Sequence, residues 1–126
     1  DEAKKYSLER YAFGKQIGAF QALKHKMADM YVKIELAKSN AYYGAWALSS
    51  DSNELPVAAA GARVSAIDAY HYASKENIQI HGGVGFTWEY DCHLFYRTAK
   101  QLAINIGSVR QWKENLISNL EKRNIV

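Results

Sequence analysis

The chain has 126 residues, enough for one domain with a single core. Its apolar content of 48% is ordinary for a globular protein, and its net charge of +3 is too mild and too scattered for a nucleic-acid-binding surface. The single cysteine, Cys92, excludes an internal disulfide and favours a reducing compartment. Because no apolar run approaches membrane-spanning length, we expect neither a membrane span nor a nucleic-acid partner.

The first residues have the composition of a helix interior. The chain begins at Asp1 without a methionine, and residues 1–11 continue a helical pattern from their first position. We therefore expect the first helix to be truncated and the chain to be the C-terminal piece of a longer protein.

Apolar residues spaced three or four apart predict a long helix from Phe20 to Leu48. The polar cluster at 49–53 predicts its end, and Pro56 suits the first turn of a second long helix, which is predicted to reach about Ile80. The predicted inward stripe of the first long helix is Phe20, Leu23, Met27, Met30, Ile34, Ala37, Ala41, Ala45 and Leu48. That of the second is Val57, Ala60, Val64, Ile67, His71, Ser74 and Ile78.

Two shorter helices are predicted after the long pair. One runs from Tyr90 to about Asn105, and the other begins after Gly107 and Ser108, which predict a helix stop followed by an N-cap. The residues predicted to face inward are Leu94, Phe95, Thr98 and Leu102 in the former, and Val109, Trp112, Leu116 and Leu120 in the latter. The expected fold is all-α, an up-and-down helical bundle.

Two features indicate a ligand. Gly82, Gly83 and Gly85 interrupt helical sequence, and glycine there allows bare backbone N–H groups to face an anion such as phosphate. Arg10 precedes another glycine break at Gly14. It suits a bidentate phosphate clamp, but it equally suits the C-terminus of a helix, and the sequence pattern leaves both interpretations open.

Other chemistry-bearing residues have structural interpretations. His71 lies on an apolar stripe and is expected to be partly buried with a backbone or tyrosine partner. Cys92 has no base motif around it and is interpreted as a small hydrophobe. Cys92 and His93 point in different directions on a helix, so no metal site is expected.

Several separated motifs, in order and in register, closely resemble the C-terminal domain of acyl-CoA dehydrogenases. They are Glu2–Lys15, Phe20–Gln21, Met27–Met30, Gln79–Phe86, Glu89–Tyr90, Tyr96–Arg97 and Ala99–Lys100. The resemblance covers nearly the whole chain, so residues 1–126 are expected to form one such domain.

The resemblance implies a bundle that follows an N-terminal helical domain and a middle β-domain. Family members bind FAD and oxidise acyl-CoA thioesters to 2,3-enoyl-CoA: a base removes the α-proton and the β-hydride goes to the flavin N5. It further implies a homo- or hetero-oligomer (dimer or tetramer), an acceptor of the electron-transfer flavoprotein type, a role in fatty acid β-oxidation, and a location in the bacterial cytoplasm or the mitochondrial matrix.

Carried over by position, the resemblance implies that Arg10 clamps the FAD pyrophosphate of a neighbouring subunit. The full set of cofactor-binding residues it implies is Arg10, Phe13, Gln21, Gln79, Ile80, His81, Gly82, Gly83, Ser108 and Arg110. Gly107 is implied to contact substrate.

The catalytic base is the one departure. Many members carry a glutamate where this chain has Ile106, which cannot accept a proton. Three alternatives remain: a dehydrogenase whose base lies upstream of residue 1, a non-catalytic subunit of a heteromeric enzyme, or a helical assembly module without flavin. The catalytic residue is therefore unknown.

Overall fold

The computed structural model describes residues 1–124, which form five α-helices and one short β-hairpin. The helices are α1 (Glu2–Glu9), α2 (Gln21–Ser49), α3 (Leu55–His81), α4 (Cys92–Ile104) and α5 (Val109–Asn124). The hairpin strands are β1 (Tyr11–Ala12) and β2 (Lys15–Gln16), and 3-10 turns cover Ile17–Ala19 and Gly82–Phe86. The expected all-α, up-and-down bundle is confirmed. The hairpin, which the sequence pattern did not predict, is confined to the first connection.

Helix α3 is the centre of the fold, because it packs against each of the other four helices. All seven residues predicted to face inward on it are buried or half-buried, so that prediction is confirmed. Small side chains let α2 approach closely: a Cβ added at Gly44 would lie 3.5 Å from the Cβ of Ala62. Pro56 lies in the first turn of α3, as predicted.

The predicted stripe on α2 holds only over the first part of the helix. Ala41, Ala45 and Leu48 are exposed, and the residues turned toward the bundle in their place are Asn40, Gly44 and Ala47. The reason is geometric. A stripe with an average spacing near 3.5 residues drifts by about 20° per heptad around a straight helix of 3.6 residues per turn.

The inward face predicted for α4 is wrong. The predicted Leu94, Phe95, Thr98 and Leu102 are exposed, whereas Cys92 and Ala99 are buried. Small residues allow α4 to lie close to α3, and the larger apolar side chains remain on the outer surface. The helix also begins at Cys92 rather than Tyr90. The prediction for α5 is confirmed, since its four inward residues are half-buried.

A salt bridge ties α2 to α3. Lys26 Nζ lies 2.5 Å from Glu76 Oε2, and the side chain of Glu76 is 8% exposed. The hydrogen bond with Glu76 raises the pKa of Lys26 above its ordinary value, so the ammonium form persists opposite the carboxylate. Within residues 1–124, no helix is both long and apolar enough to cross a membrane.

Candidate functional site

The hairpin fixes Arg10 at the end of α1. Its backbone N–H donates to the carbonyl of Tyr6 at 2.9 Å, and its carbonyl accepts from the N–H of Ile17 at 2.8 Å. Phe13 and Gly14 form the two-residue loop, with φ of 53° and 78°, the signs required by a type I′ hairpin turn. Arg10 is therefore the C-cap of α1, and the hairpin holds its backbone in place.

The glycine cluster forms the 3-10 turn that ends α3. Gly82 has a φ of 65°, which side-chain-bearing residues rarely adopt. Gly85 is needed for packing, because a Cβ there would meet the carbonyl oxygen of Ile78 at 2.8 Å. At Gly82 and Gly83, in contrast, a Cβ would meet nothing within 4 Å, so neither glycine is explained by contacts inside the chain.

An aromatic cluster joins the hairpin end of α1 to this turn. The rings of Tyr6 and His81 stack with centroids 4.2 Å apart, and Tyr90 contacts both rings. His81 is 4% exposed, and its Nδ1 lies 2.8 Å from the carbonyl oxygen of Asn77. Because a carbonyl only accepts, Nδ1 carries the hydrogen. The cluster was not foreseen from the sequence, since Tyr6 lies far from His81 and Tyr90 along the chain.

The α1 end and the glycine turn enclose a groove of about 490 Å³, called here the Arg10 groove. Its lining residues are Tyr6, Arg10, Ile17, Ile80, His81, Gly82, Gly83, Val84 and Thr87. Five of the sequence-predicted cofactor residues are thus brought together. No ion pair found within residues 1–124 involves Arg10, so its guanidinium has no carboxylate partner in the described part of the chain.

The groove has the donor chemistry that a pyrophosphate requires. A guanidinium can bond phosphate oxygens in a bidentate manner. The open space in front of Gly82 and Gly83 would let a ligand approach the backbone closely. The residues present therefore fit the phosphate portion of a dinucleotide.

Comparison with known proteins identifies the family. The model described as acyl-CoA dehydrogenase, C-terminal domain, matches residues 1–115. The chain belongs to this family.

Three relatives illustrate the match. Acyl-CoA dehydrogenase IpdE2 of Mycobacterium tuberculosis is 40% identical over 117 residues, which cover 91% of this chain and 34% of that protein. Caffeyl-CoA reductase-Etf complex subunit CarC of Acetobacterium woodii is 35% identical over 95% of this chain and 31% of its own length. Butyryl-CoA dehydrogenase from Megasphaera elsdenii is 32% identical with a TM-score of 0.90, over 95% of this chain and 31% of that chain. The domain thus spans about a third of the length of these relatives.

Three other predicted cofactor residues of this acyl-CoA dehydrogenase domain lie outside the Arg10 groove. Phe13 is 97% exposed at the hairpin tip, where its ring lies 6.3 Å from that of Phe20. Gln21 is exposed at the first position of α2, and Gln79 is exposed near the end of α3. Within the groove, Ile80 and His81 have buried side chains, so what they present to a ligand is mainly backbone.

The remaining predicted residues lie at the turn between α4 and α5. Gly107 has a φ of 104° and Ser108 Oγ accepts from the N–H of Gln111 at 3.2 Å, which confirms the predicted helix stop and N-cap. Arg110 Nε pairs with Glu114 at 2.9 Å on the surface. Ile106 is 63% exposed, and its aliphatic side chain has no atom that can accept a proton.

Cys92 and His71, both interpreted from the sequence as structural residues, differ in whether their polar atoms have hydrogen-bond partners. Cys92 is 2% exposed, receives a hydrogen bond from Asn77 Nδ2 at 3.4 Å, and has a pKa raised by burial, all in keeping with an unreactive small side chain.

His71 is half-buried and its ring lies 5.9 Å from that of Tyr96. Within residues 1–124 its Nδ1 is buried without a hydrogen-bond partner, so the expected backbone or tyrosine partner is not found at that atom. Residues 1–124 contain no cluster of His, Cys, Asp and Glu that could hold a metal.

Proposed function

We propose that this chain is the FAD-binding, oligomerising C-terminal domain of an acyl-CoA dehydrogenase that oxidises acyl-CoA thioesters to 2,3-enoyl-CoA. The observation that carries the proposal is the Arg10 groove. In it, Arg10, which has no carboxylate partner within residues 1–124, lines the same space as Gly82 and Gly83, before which there is open space. Arg10 would neutralise the cofactor pyrophosphate, and Gly82 and Gly83 would let it approach the backbone. FAD, when bound, supplies the hydride acceptor.

We propose that the proton-abstracting base lies in a part of the protein outside this sequence. Ile106 cannot accept a proton, and Ser108, two positions later, already caps α5 with its hydroxyl. The role of the α4–α5 turn is then to present backbone at Gly107, together with Ser108 and Arg110, to substrate and cofactor. The 126-residue domain would work within a chain about three times as long, as its relatives do.

Exposed apolar surface supports contact with further protein. Phe13, Phe86 and Trp88 are 97%, 79% and 81% exposed. Phe13 lies on the hairpin that follows Arg10, Phe86 is the last residue of the glycine turn, and Trp88 lies just after it. Exposed aromatics of this size are characteristic of interfaces. An open groove of about 680 Å³ between α2 and α3, lined by residues such as Met30 and Ala73, provides a second apolar surface. We assign these surfaces to neighbouring subunits and to the other domains of the enzyme.

The electron acceptor is proposed to be of the electron-transfer flavoprotein type. CarC, at 35% identity, is named as a subunit of a complex with Etf. We propose an acyl-CoA thioester as substrate without specifying its acyl group, because CarC is named for caffeyl-CoA and the Megasphaera elsdenii enzyme for butyryl-CoA.

The test uses the full-length protein and its Arg10→Ala variant. FAD content per subunit after gel filtration, read from the visible spectrum, should fall at least severalfold in Arg10→Ala and recover partly in Arg10→Lys. Arg123→Ala, which removes an arginine from α5, should retain the cofactor. Anaerobic addition of acyl-CoA should bleach the flavin of the unsubstituted protein. Purified protein without flavin would remove the proposal and favour an assembly module.

A second candidate, a non-catalytic subunit of a heteromeric dehydrogenase, is favoured by Ile106 alone. It predicts a flavin spectrum that no acyl-CoA bleaches unless a partner subunit is added. A pure homo-oligomer that oxidises acyl-CoA would eliminate it.

A further inference from the structure

A second cleft opens on another side of α3, between α2, α4 and α5, with a volume of about 670 Å³. It shares no lining residue with the Arg10 groove. His71, which lines it, precedes His81 of the groove by ten positions on α3, about 15 Å along the helix axis. The cleft is therefore separate from the proposed cofactor site.

The floor of the cleft is apolar and its rim is basic. The floor residues are Val64, Ile67, Ala99, Ala103, Val109 and Leu116, and the exposed Leu36 adds to the apolar lining. Lys33, Lys100 and Lys113 line the same space, against one carboxylate, Asp68. Lys33 engages Asp68 at 2.8 Å. Neither Lys100 nor Lys113 takes part in an ion pair within residues 1–124, so the cleft carries uncompensated positive charge.

The half-buried His71 also lines the cleft. Its Nδ1 is buried and has no hydrogen-bond partner in the described residues. By contrast, Asn40 Nδ2 donates to Ser65 Oγ at 3.1 Å, and Ser65 Oγ donates to the carbonyl of Gly61 at 2.8 Å. The cleft thus combines an internally bonded polar pair, a histidine and two lysines that form no ion pair within residues 1–124, next to apolar residues. Of these lysines, Lys100 has its Nζ 5.4 Å from the centre of the Tyr96 ring.

We propose that this basic cleft binds a small anionic amphiphile, with its acid group at Lys100 and Lys113 and its apolar tail along the floor. Its volume lies within the roughly 300–1,000 Å³ of small-molecule pockets, which are also mostly apolar with a few placed polar groups. A second copy of this chain fits less well. In a two-fold contact centred on the cleft, the lysine rim would face its own lysines.

Gly61 offers a way to fill the cleft without disturbing the fold. It lines the cleft, and a Cβ there would meet nothing within 4 Å. Leucine is also a better helix former than glycine, so Gly61→Leu should fold and place its side chain in the ligand space. Ala28→Leu on the exposed face of α2 is the matched control.

The experiment titrates decanoate into the full-length protein by calorimetry and compares the variants. Gly61→Leu and the double variant Lys100→Glu, Lys113→Glu should each weaken binding at least roughly tenfold, because one removes the space and the other reverses the charge. Ala28→Leu and Lys24→Glu should bind as the unsubstituted protein does. Decylamine, which has the same tail and the opposite charge, should not bind.

Three results would overturn the inference. The first is no decanoate binding, and the second is equal affinity in Gly61→Leu. The third is a change of oligomeric state in the double variant with decanoate affinity unchanged, which would make the cleft an interface. FAD content measured on the same samples separates this test from the cofactor proposal, since both cleft variants should retain flavin even if the Arg10 groove is misassigned.

Discussion

The rings of Tyr6 and His81 stack 4.2 Å apart, and this contact links α1 to the last turn of α3. Arg10 follows Tyr6 by one helical turn, and the backbone N–H of Arg10 donates to the Tyr6 carbonyl. Gly82 and Gly83 follow His81 directly. The stacked pair therefore sets the position of the arginine relative to the glycine turn.

Replacing Tyr6 by leucine should loosen this connection. Loss of the stacked ring is expected to lower the free energy of unfolding by about 1–2 kcal/mol and to reduce FAD retention in the full-length protein. Urea titration and flavin absorbance measure the two effects. Tyr42→Leu is the control, since Tyr42 is 76% exposed and should leave both unchanged. Undiminished stability in Tyr6→Leu would show that the stack does not fix α1.

The glycine turn allows packing and ligand roles to be separated by two alanine substitutions. Gly85→Ala should cost about 1–3 kcal/mol of stability, because its Cβ would approach the Ile78 carbonyl oxygen to 2.8 Å and the His81 Cβ to 3.0 Å. Gly83→Ala meets no protein atom within 4 Å and should fold normally, yet retain less FAD. Thermal unfolding and flavin content of the full-length variants check this. Normal FAD content in Gly83→Ala would place the cofactor elsewhere.

The helices could be predicted from the sequence because the spacing of apolar residues and the positions of proline and glycine specify them directly. Pro56 and the stop at Gly107 set boundaries that the structure reproduces. The buried face of α4 could not be predicted in this way. Leu94 and Phe95 are the larger apolar residues, and yet they are exposed whereas Ala99 is buried. Which apolar face is buried depends on the partner helix, and a single chain read in order contains no such information.

The candidate site was predictable in part. Gly82 and Gly83 stand out locally, and Arg10 precedes a glycine break, but their convergence across more than seventy residues came only from the family resemblance. The role of Tyr6 in holding them together was missed because a stacked pair so distant in sequence has no local pattern. The basic cleft was missed for the same reason: its lysines come from three different helices.

The Lys26–Glu76 pair should behave as a unit. Lys26→Met leaves a buried carboxylate without its partner and should cost about 2 kcal/mol of stability, less than for a fully buried pair because Lys26 is itself partly exposed. Adding Glu76→Met should recover much of that loss. A double-mutant cycle by urea unfolding measures the coupling. Additive losses would mean that the two charges do not stabilise each other.

His71 should make stability depend on pH. Burial chiefly, and then the charges of Lys100 and Lys75, lower its pKa below the ordinary value of 6.5, while Asp68 acts weakly in the opposite direction. At pH values between the pKa of His71 in the folded chain and that in the unfolded chain, the unfolded chain binds more protons than the folded one. The free energy of unfolding therefore falls as pH drops from about 7 through 6.5, and it levels off below the folded-state pKa. His71→Gln should flatten that part of the profile, measured as urea midpoints from pH 7.5 to 5. His25→Gln, at an exposed position on α2, should keep the slope. An unchanged slope in His71→Gln would assign the dependence to another group.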